Sequence, residues 1–270
     1  MRARPETSPA DWLILAMAAY GATLVSRGGD ELVVSLPVQS ASGVVTTYVL
    51  TISAGTAEPR VRETSRQHLP SFCPERHINP GGWFCLAFSQ AEPLVVADED
   101  TAVIWWAHVW KFLSLQPLAA RRGIWPGEAW AHGDAARHQL RARQAAEALG
   151  LLDALQAGSL SVRRHTRGFL RLFEGGRRLY SVWAGPRRTA TLRQPCVCGS
   201  GRPLRSCSGH ATATADLVFE MEAQRAADAA FWADLKGHPC CGTMKACPLA
   251  ARAPMPMPAN TDDSPAACAA

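Results

Sequence analysis

The sequence predicts an α+β fold followed by a small metal-binding module, and three observations support this prediction. A helix start near the N-terminus leads into apolar runs rich in β-branched residues, which are typical of an antiparallel meander. A helical pattern over residues 98–120 follows an irregular stretch that contains several prolines. Six of the nine cysteines fall between positions 196 and 247. A chain of 270 residues is long enough for one sizeable domain and a smaller one.

The N-terminal helix is predicted to begin at Ser8 and Pro9, because serine is a common N-cap and proline suits the first turn. The basic start and the apolar stretch are similar to a signal peptide, but Glu6 and Asp11 interrupt the approach and Trp12 lies within it. We therefore predict an amphipathic helix of the fold and a cytoplasmic protein. No apolar run is long enough to cross a bilayer, so no membrane partner is expected.

Four strands are predicted next, because short apolar runs alternate with turn residues. Residues 27–30 read Arg-Gly-Gly-Asp, which is typical of a tight hairpin turn, and residues 39–43 predict a looser one. The predicted strands cover about residues 22–26, 31–37, 44–53 and 60–63. Residues 64–84 contain three prolines, which favours a long structured loop over a helix. Long irregular loops inside compact domains are usually functional.

The remaining elements are predicted to be mainly helical. Acidic residues at 98–100 suit the positive N-terminal end of the helix over residues 98–120. Its predicted core face consists of Val103, Trp106, Trp110 and Leu113. Further predictions are a helix over 134–152 ending near Gly150, a hairpin over 169–183 turning at 174–176, and a helix over 213–235. The corresponding domains are 1–125, a helix and hairpin extension at 126–194, a cysteine-rich module at 195–249, and a disordered tail at 250–270.

The positive charge of the chain does not indicate nucleic-acid binding. The formal net charge is +5, and the arginines are scattered rather than concentrated with aromatic residues on one surface. A solvated surface is therefore the favoured interpretation.

Cys85 follows a Pro-Gly-Gly turn and admits several chemistries. A cysteine hydrolase needs a histidine base; His77 is too close in sequence to be convincing, but His108 or His132 would be available. Cys73 and His77 have the spacing of metal ligands and, with Cys85, form an incomplete metal set. A buried small hydrophobe is the other possibility, and these alternatives stay open on the residues alone.

The order of residues around Cys85 resembles the active-site segment of ubiquitin-conjugating enzymes. That family has His-Pro-Asn, a turn with glycine, an apolar residue and Cys-Leu; here the segment reads HINPGGWFCL at 77–86. The order of elements over about residues 8–125 is similar as well. The longer stretch LPSFCPERHINPGGWFCL resembles the diverged prokaryotic branch found in bacterial ubiquitin-like conjugation and defence operons. Ile78 stands at the family's proline, and Asn79 lies two residues closer to the cysteine than in eukaryotic members.

This resemblance implies a ubiquitin-conjugating-enzyme-like fold and a transferase. Cys85 would carry the C-terminus of a ubiquitin-like modifier as a thioester, received from an activating enzyme, and pass it to an amine of a protein substrate. Asn79 would donate a hydrogen bond to the developing oxyanion or brace the loop, and His77 would be structural. The implied setting is a bacterial conjugation or antiphage defence pathway.

A second cysteine cluster predicts a structural zinc site. Cys196, Cys198 and Cys207 lie among glycines, and His210 follows three residues after Cys207. Soft sulfur ligands with histidine in tetrahedral reach favour Zn²⁺, and a closed site is structural rather than catalytic.

The same segment resembles the small zinc motif first known from the C-terminus of the SecA translocation motor. In that motif a Cys or His directly follows the third cysteine, whereas Ser208 stands there in this chain. The fourth ligand would then be His210 or one of a later group: His238, Cys240, Cys241 and Cys247.

Two other functions remain alternatives to a conjugating enzyme. One is a cysteine hydrolase that uses the same thiol. The other is a non-catalytic zinc adaptor whose front domain only binds.

Overall fold

The computed structural model describes residues 7–122, 125–127, 129–165, 168–184, 189–190, 194–198, 200–207 and 209–235. The chain forms two compact units: Met1–Trp130 with Ala233–Ala270, and Ala131–Trp232. Among the described residues, none of the helices combines the length and apolar character needed to cross a membrane.

The first unit begins with helix α1, Pro9–Ala16, as the sequence predicts. Ser8 caps it reciprocally: the Asp11 amide donates to the serine hydroxyl, and the Asp11 carboxylate accepts from the Ser8 amide. This capping box satisfies backbone groups that a helix start otherwise leaves unpaired. A 3-10 turn, Met17–Tyr20, leads from α1 towards the sheet.

The predicted meander is confirmed as one antiparallel sheet in the order β1-β2-β3-β4. Its strands are β1 Thr23–Gly28, β2 Glu31–Gln39, β3 Val45–Ser53 and β4 Arg60–Glu63. Alternate residues of β2 are buried, so one face of the sheet packs into the core, and in β3 the consecutive residues Leu50, Thr51 and Ile52 are all buried. Strand β4 lies beside the segment that contains Cys85, since Arg62 of β4 pairs with Trp83.

Helix α2, Glu99–Arg122, covers the inner face of the unit. The Trp106 indole donates to the Leu13 carbonyl of α1 at 3.0 Å, and Trp105 and Trp106 are both completely buried. The predicted core face was half wrong, because Val103 and Trp110 are each 36% exposed. The two adjacent tryptophans both point inward, and their size sets the rotation of the helix, which periodicity alone did not reveal.

The second unit contains three helices and a second antiparallel sheet, in the order β5-β6-β7-β8. The helices are α3 Asp134–Ala148, α4 Leu152–Gln156 and α5 His210–Asp234. The strands are β5 Leu160–His165, β6 Phe169–Glu174, β7 Arg177–Trp183 and β8 Thr189–Ala190. The predicted hairpin is thus confirmed as β6 and β7, whereas β5 and β8 had not been predicted.

Helix α3 ends at Ala148, which confirms the predicted end near Gly150; that glycine has φ +69° and interrupts the helical backbone. The short helix α4 that follows was not predicted. Helix α5 begins at His210 rather than 213. The sheet, α3, α5 and the cysteine-bearing segment share one apolar core, which includes Leu172, Leu204 and Leu217. The predicted tail at 250–270 lies outside the described residues.

Candidate active site and metal centre

The segment around Cys85 folds as a miniature hairpin. The Cys85 amide donates to the His77 carbonyl at 2.8 Å, and the Asn79 amide donates to the Trp83 carbonyl at 2.7 Å. Between these bonds, Ile78 pairs with Phe84. The turn is Pro80–Gly82, in which Gly81 and Gly82 have φ +78° and +83°, values that glycine adopts without a steric penalty. The motif therefore places the backbones of His77 and Cys85 opposite each other.

Alternation along this hairpin determines which way Cys85 faces. Ile78 is completely buried and Phe84 is 8% exposed, so both point into the core. Successive residues of an extended segment point to opposite sides, so Trp83 and Cys85 share the outward side. Cys85 is half-buried, which is consistent with that orientation.

A groove with a volume of about 110 Å³ lies next to the Cys85 segment. Phe84 and Leu86, which flank Cys85 in the chain, contribute to its walls together with Arg60 and Glu92. Cys85 itself does not line this groove, and it is half-buried rather than enclosed in the core.

Cys85 is disulfide-bonded, whereas Cys196, Cys198 and Cys207 form no disulfide. The sequence did not predict this bond. A sulfur in a disulfide is not a thiolate, so Cys85 acts as a nucleophile only after reduction.

The hairpin is held on its inner side by buried polar pairs that sequence reasoning did not identify. The Arg76 Nε donates to the Gln116 Oε1 at 2.8 Å, and the Gln116 side-chain Nε2 donates to the Arg76 backbone carbonyl at 3.0 Å. Arg76 is 4% and Gln116 1% exposed. The Glu63 carboxylate accepts hydrogen bonds from the backbone amides of His68 and Leu69, which holds the start of the loop that leads from β4 to the hairpin. These contacts fix the position of the hairpin against α2 and β4.

His77 and Asn79 are both buried beside the turn. His77 has φ +54°, and its ring meets that of Trp125 edge-on at 5.1 Å. Asn79 is 5% exposed and starts the turn at Pro80, without a side-chain cap bond there. The structural role of His77 and the oxyanion or bracing role of Asn79 stay predictions.

The alternative candidates near the site have other local contacts. His108 lies on α2, with its Nδ1 2.9 Å from the Ile104 carbonyl of its own helix. His132 belongs to the second unit, where it stacks on Phe231. Cys73 is 1% exposed and its backbone pairs with Ile78. No metal-ligand cluster forms around Cys73, His77 and Cys85 within the described ranges.

Asp98 caps the N-terminus of α2, where the sequence predicts that acidic residues suit the positive end of the helix. Its Oδ1 accepts from the Thr101 amide at 2.8 Å, and these Thr101 hydrogen bonds lower the pKa of Asp98. Glu92, by contrast, lines the groove beside Leu86.

Trp83 lies between two arginines of β4. The Arg60 and Arg62 guanidinium carbons lie 4.5 and 4.7 Å from its ring centroid, within the range of cation–π attraction. Arg62 pairs with Trp83, and the Phe84 amide donates to Val61. Continued by one position, this register sets Arg60 across from Cys85.

The second cluster forms a compact set of four ligand atoms. One atom each from Cys196, Cys198, Cys207 and His210 lies within 4.8 Å of every other. The Cys196 Sγ is 3.0 Å from the His210 Nδ1, and the Cys198 and Cys207 sulfurs are 3.8 Å apart. His210 is therefore the fourth member of the set, while Ser208, His238, Cys240, Cys241 and Cys247 lie outside the described residues.

These distances fit a tetrahedral metal ion. Zn–S bonds of about 2.3 Å separate two tetrahedral sulfurs by about 3.8 Å, which matches the observed pair. The tight turn that carries Cys196 and Cys198, here called the knuckle, is closed by two backbone hydrogen bonds. The Cys196 amide donates to the Arg202 carbonyl, and the Leu204 amide donates to the Gln194 carbonyl. The set can hold a metal ion without rearranging the backbone.

Neighbouring side chains support the four ligands. The Ser200 Oγ lies 3.1 Å from the Cys198 Sγ, and its hydrogen bonds lower the pKa of Cys198 to about 6. The Tyr180 hydroxyl, on β7, donates to Pro195 and accepts from the Val197 amide. Burial raises the pKa of Tyr180 to about 12, so this hydroxyl keeps its proton. Thiolate character at Cys198 favours metal binding.

Comparison with known families assigns a domain to each of the two segments described above. Residues 20–127, which contain the Cys85 hairpin, match the family described as prokaryotic E2 domain. Residues 131–249, which contain the four-ligand set, match the cysteine-rich domain found C-terminal to the E2 domain. The chain thus contains a prokaryotic E2 domain followed by the cysteine-rich domain. E2 domains are the conjugating domains of ubiquitin-like systems, so the resemblance noted in the sequence is confirmed. No curated protein and no solved structure matches the chain.

Proposed function

We propose that this E2 protein carries a ubiquitin-like modifier as a thioester on Cys85 and transfers it to an amine of a protein substrate. The observation that supports this most directly is the position of Cys85: it is half-buried on the outward side of a hairpin within an E2 domain, and its two neighbours in the chain line a groove. The partners are the modifier, an activating enzyme that supplies it, and the substrate protein. The proposed setting is a bacterial conjugation or antiphage defence pathway.

The first step is thioester exchange. The reduced Cys85 thiolate attacks the modifier's carbonyl carbon, a new C–S bond forms, and the activating enzyme's thiolate leaves as its C–S bond breaks. The exchange is nearly isoenergetic, so the thiol needs access and modest thiolate character rather than a strong base.

The second step is attack by an amine. Its nitrogen bonds to the carbonyl carbon, the C–S bond to Cys85 breaks, and the amine's proton passes to a base or to water. Glu92, which lines the groove next to the Cys85 segment, would receive this proton. The side-chain amide of Asn79 would donate to the oxyanion that develops, or else keep the hairpin in place.

We further propose that the four-ligand set of the cysteine-rich domain binds structural zinc, with Cys196, Cys198, Cys207 and His210 as ligands. Bound zinc would staple the knuckle to the start of α5, and a closed site of this kind stabilises a fold rather than performing chemistry. Its likeness to the SecA-type motif supports a partner-docking role for the surrounding surface.

The test is loading of the TCEP-reduced full chain by an activating enzyme and a ubiquitin-like protein encoded beside it. Wild type should form an adduct that a thiol reductant cleaves. Cys85→Ser should form a stable ester, and Cys85→Ala should form nothing. Cys73→Ala is the matched control, since it removes a buried cysteine from the same segment, and it should load normally.

The same preparation separates the alternatives. A cysteine hydrolase would cleave an acyl-coumarin ester without any activating enzyme, and a zinc adaptor would bind its partner equally well after Cys85→Ala. Equal adduct formation by wild type and Cys85→Ala would contradict the conjugating function. Without TCEP we expect no loading, because the disulfide-bonded Cys85 has no thiolate.

A further inference from the structure

The side chains of Arg60, Trp83 and Arg62 form a surface with two positive charges, here called the Arg–Trp–Arg surface. Arg60 is exposed, and Arg62 and Trp83 are half-buried. Across the described part of the chain, no carboxylate forms an ion pair with either arginine. The nearby Glu58 is already engaged, since it accepts from the Ser89 hydroxyl at 2.7 Å.

Two like charges lie against one ring. Each guanidinium group is attracted to the face of Trp83, while the two groups repel each other. Partial burial and the charge of Arg62 lower the pKa of Arg60, which agrees with that repulsion. An anionic group bound against both arginines would relieve it.

The surface lies on the same side of the hairpin as Cys85, where a modifier tail would pass. Trp83 precedes Cys85 by two residues on the same side of the hairpin, and the register sets Arg60 across from Cys85. An extended peptide advances about 3.3 Å per residue, so a tail ending at the Cys85 sulfur brings residues two to four before its terminal carbonyl over Trp83.

We propose that the Arg–Trp–Arg surface recognises acidic side chains in the modifier's C-terminal tail, two to four residues before the carbonyl that Cys85 accepts. Aspartate or glutamate there pairs with Arg60 and Arg62 while the tail backbone lies along Trp83. The inference rests on the proposed function and adds to it a criterion for which modifiers are carried.

The test uses synthetic peptides in place of the unidentified modifier. Three fluorescein-labelled peptides end in glycine and differ only in carrying Glu, Gln or Lys two to four residues before it. Their binding to the TCEP-reduced full chain is measured by fluorescence anisotropy. We expect the Glu peptide to bind about fivefold to tenfold more tightly than the Gln peptide, and the Lys peptide to bind most weakly. Raising ionic strength from about 0.05 M to about 0.5 M should reduce the preference.

Arg60→Gln/Arg62→Gln should abolish the preference for Glu. Arg121→Gln/Arg122→Gln removes the same charge from the exposed end of α2 and should retain it, with circular dichroism confirming that both variants are folded. Equal binding of the three peptides by wild type would overturn the inference, as would loss of the preference in both double variants.

The same peptides, prepared as thioesters, test the proposed function separately. Mass spectrometry then measures acylation of Cys85. Failure of every peptide to acylate Cys85 would count against the thioester function, while the anisotropy result would still decide the recognition of acidic tails.

Discussion

At the residue scale, the chemistry of the E2 domain depends on one sulfur and the few groups that surround it. Cys85 owes its partial exposure to the alternation of a three-residue strand, because Ile78 and Phe84 occupy the core side. Asn79 and His77 are buried within the same hairpin. A buried polar side chain at these positions either holds the hairpin in place or takes part in the reaction, and substitution distinguishes the two roles.

Asn79→Ala is the first residue-scale prediction. If the side-chain amide donates to the oxyanion, transfer to an amine should fall about 10²–10³-fold while loading of Cys85 is retained, because loading is an exchange between thioesters. Single-turnover discharge onto lysine measures the transfer step. Asn79→Asp is the matched variant, which keeps the volume but loses the donor. Equal loss of loading and transfer would instead assign Asn79 to bracing.

Asp11 gives a prediction about pH. The Ser8 hydrogen bonds, followed by Arg27, lower the pKa of Asp11 to about 2 in the folded chain, below the value of about 3.9 in unfolded chains. The stability contributed by this carboxylate is therefore complete above about pH 4 and lost as pH falls towards 2. Both side chains of the Arg27 pair are 39% exposed, so the effect should stay below about 1 kcal/mol.

Urea denaturation of wild type and Asp11→Asn at several pH values measures this contribution. The difference between the two midpoints should shrink as the solution is acidified through that window. A difference that is constant from neutral pH to about pH 2 would contradict the assignment.

At the element scale, the hairpin is positioned by its attachment to neighbouring elements. The reciprocal bonds between Arg76 and Gln116 join its base to α2, and the Glu63 carboxylate gathers the loop that precedes it. Polar pairs this deeply buried are costly to break, because the group that remains loses its partner without regaining water. They define the position of Cys85 more tightly than apolar packing alone would.

Gln116→Leu should therefore destabilise the chain by about 1–3 kcal/mol, although it keeps the side-chain volume. The substitution leaves the Arg76 Nε and carbonyl without the partners they have now. The urea midpoint measures the loss, and Cys85 loading should slow in parallel. Gln67→Leu, at an exposed position of the preceding loop, is the control and should change stability by no more than about 0.5 kcal/mol. Equal midpoints for the two variants would contradict this account.

At the scale of the whole molecule, the chain combines two units with separate means of stabilisation. The first unit buries an extended apolar core between α1, α2 and the first sheet. The second places Cys196 and Cys207 inside its own core, so its four-ligand set and its apolar packing are one structure. Metal removal should therefore affect the two units differently.

Chelation, or Cys207→Ser, should loosen the second unit and spare the first. Hydrogen exchange should accelerate about tenfold or more in β6, β7 and the start of α5, because the knuckle loses its staple. Amides of β2 and β3 should keep their protection, and TCEP-reduced Cys85 should still be loaded. Cys73→Ser is the control without metal ligation. Exchange that is unchanged in β6 and β7 would argue against a structural metal.

Local patterns determined much of this protein. The cap at Ser8, the turns of the meander, and the spacing of Cys196, Cys198 and Cys207 are local features, and each was predicted because its physical cause lies within a few residues. The order HINPGGWFC predicted the turn at Pro80–Gly82 for the same reason, whereas the pairing of Ile78 with Phe84 on its two sides was not predicted.

Only the tertiary structure decided the long-range relations. The rotation of α2, the pairing of Arg76 with Gln116, and the arginines of β4 against Trp83 join residues separated by about 20 or more positions, which no local pattern encodes. His210 became the fourth member of the ligand set because the knuckle folds back onto the first residue of α5. The sequence thus determined which groups are present, whereas packing determined which of them meet.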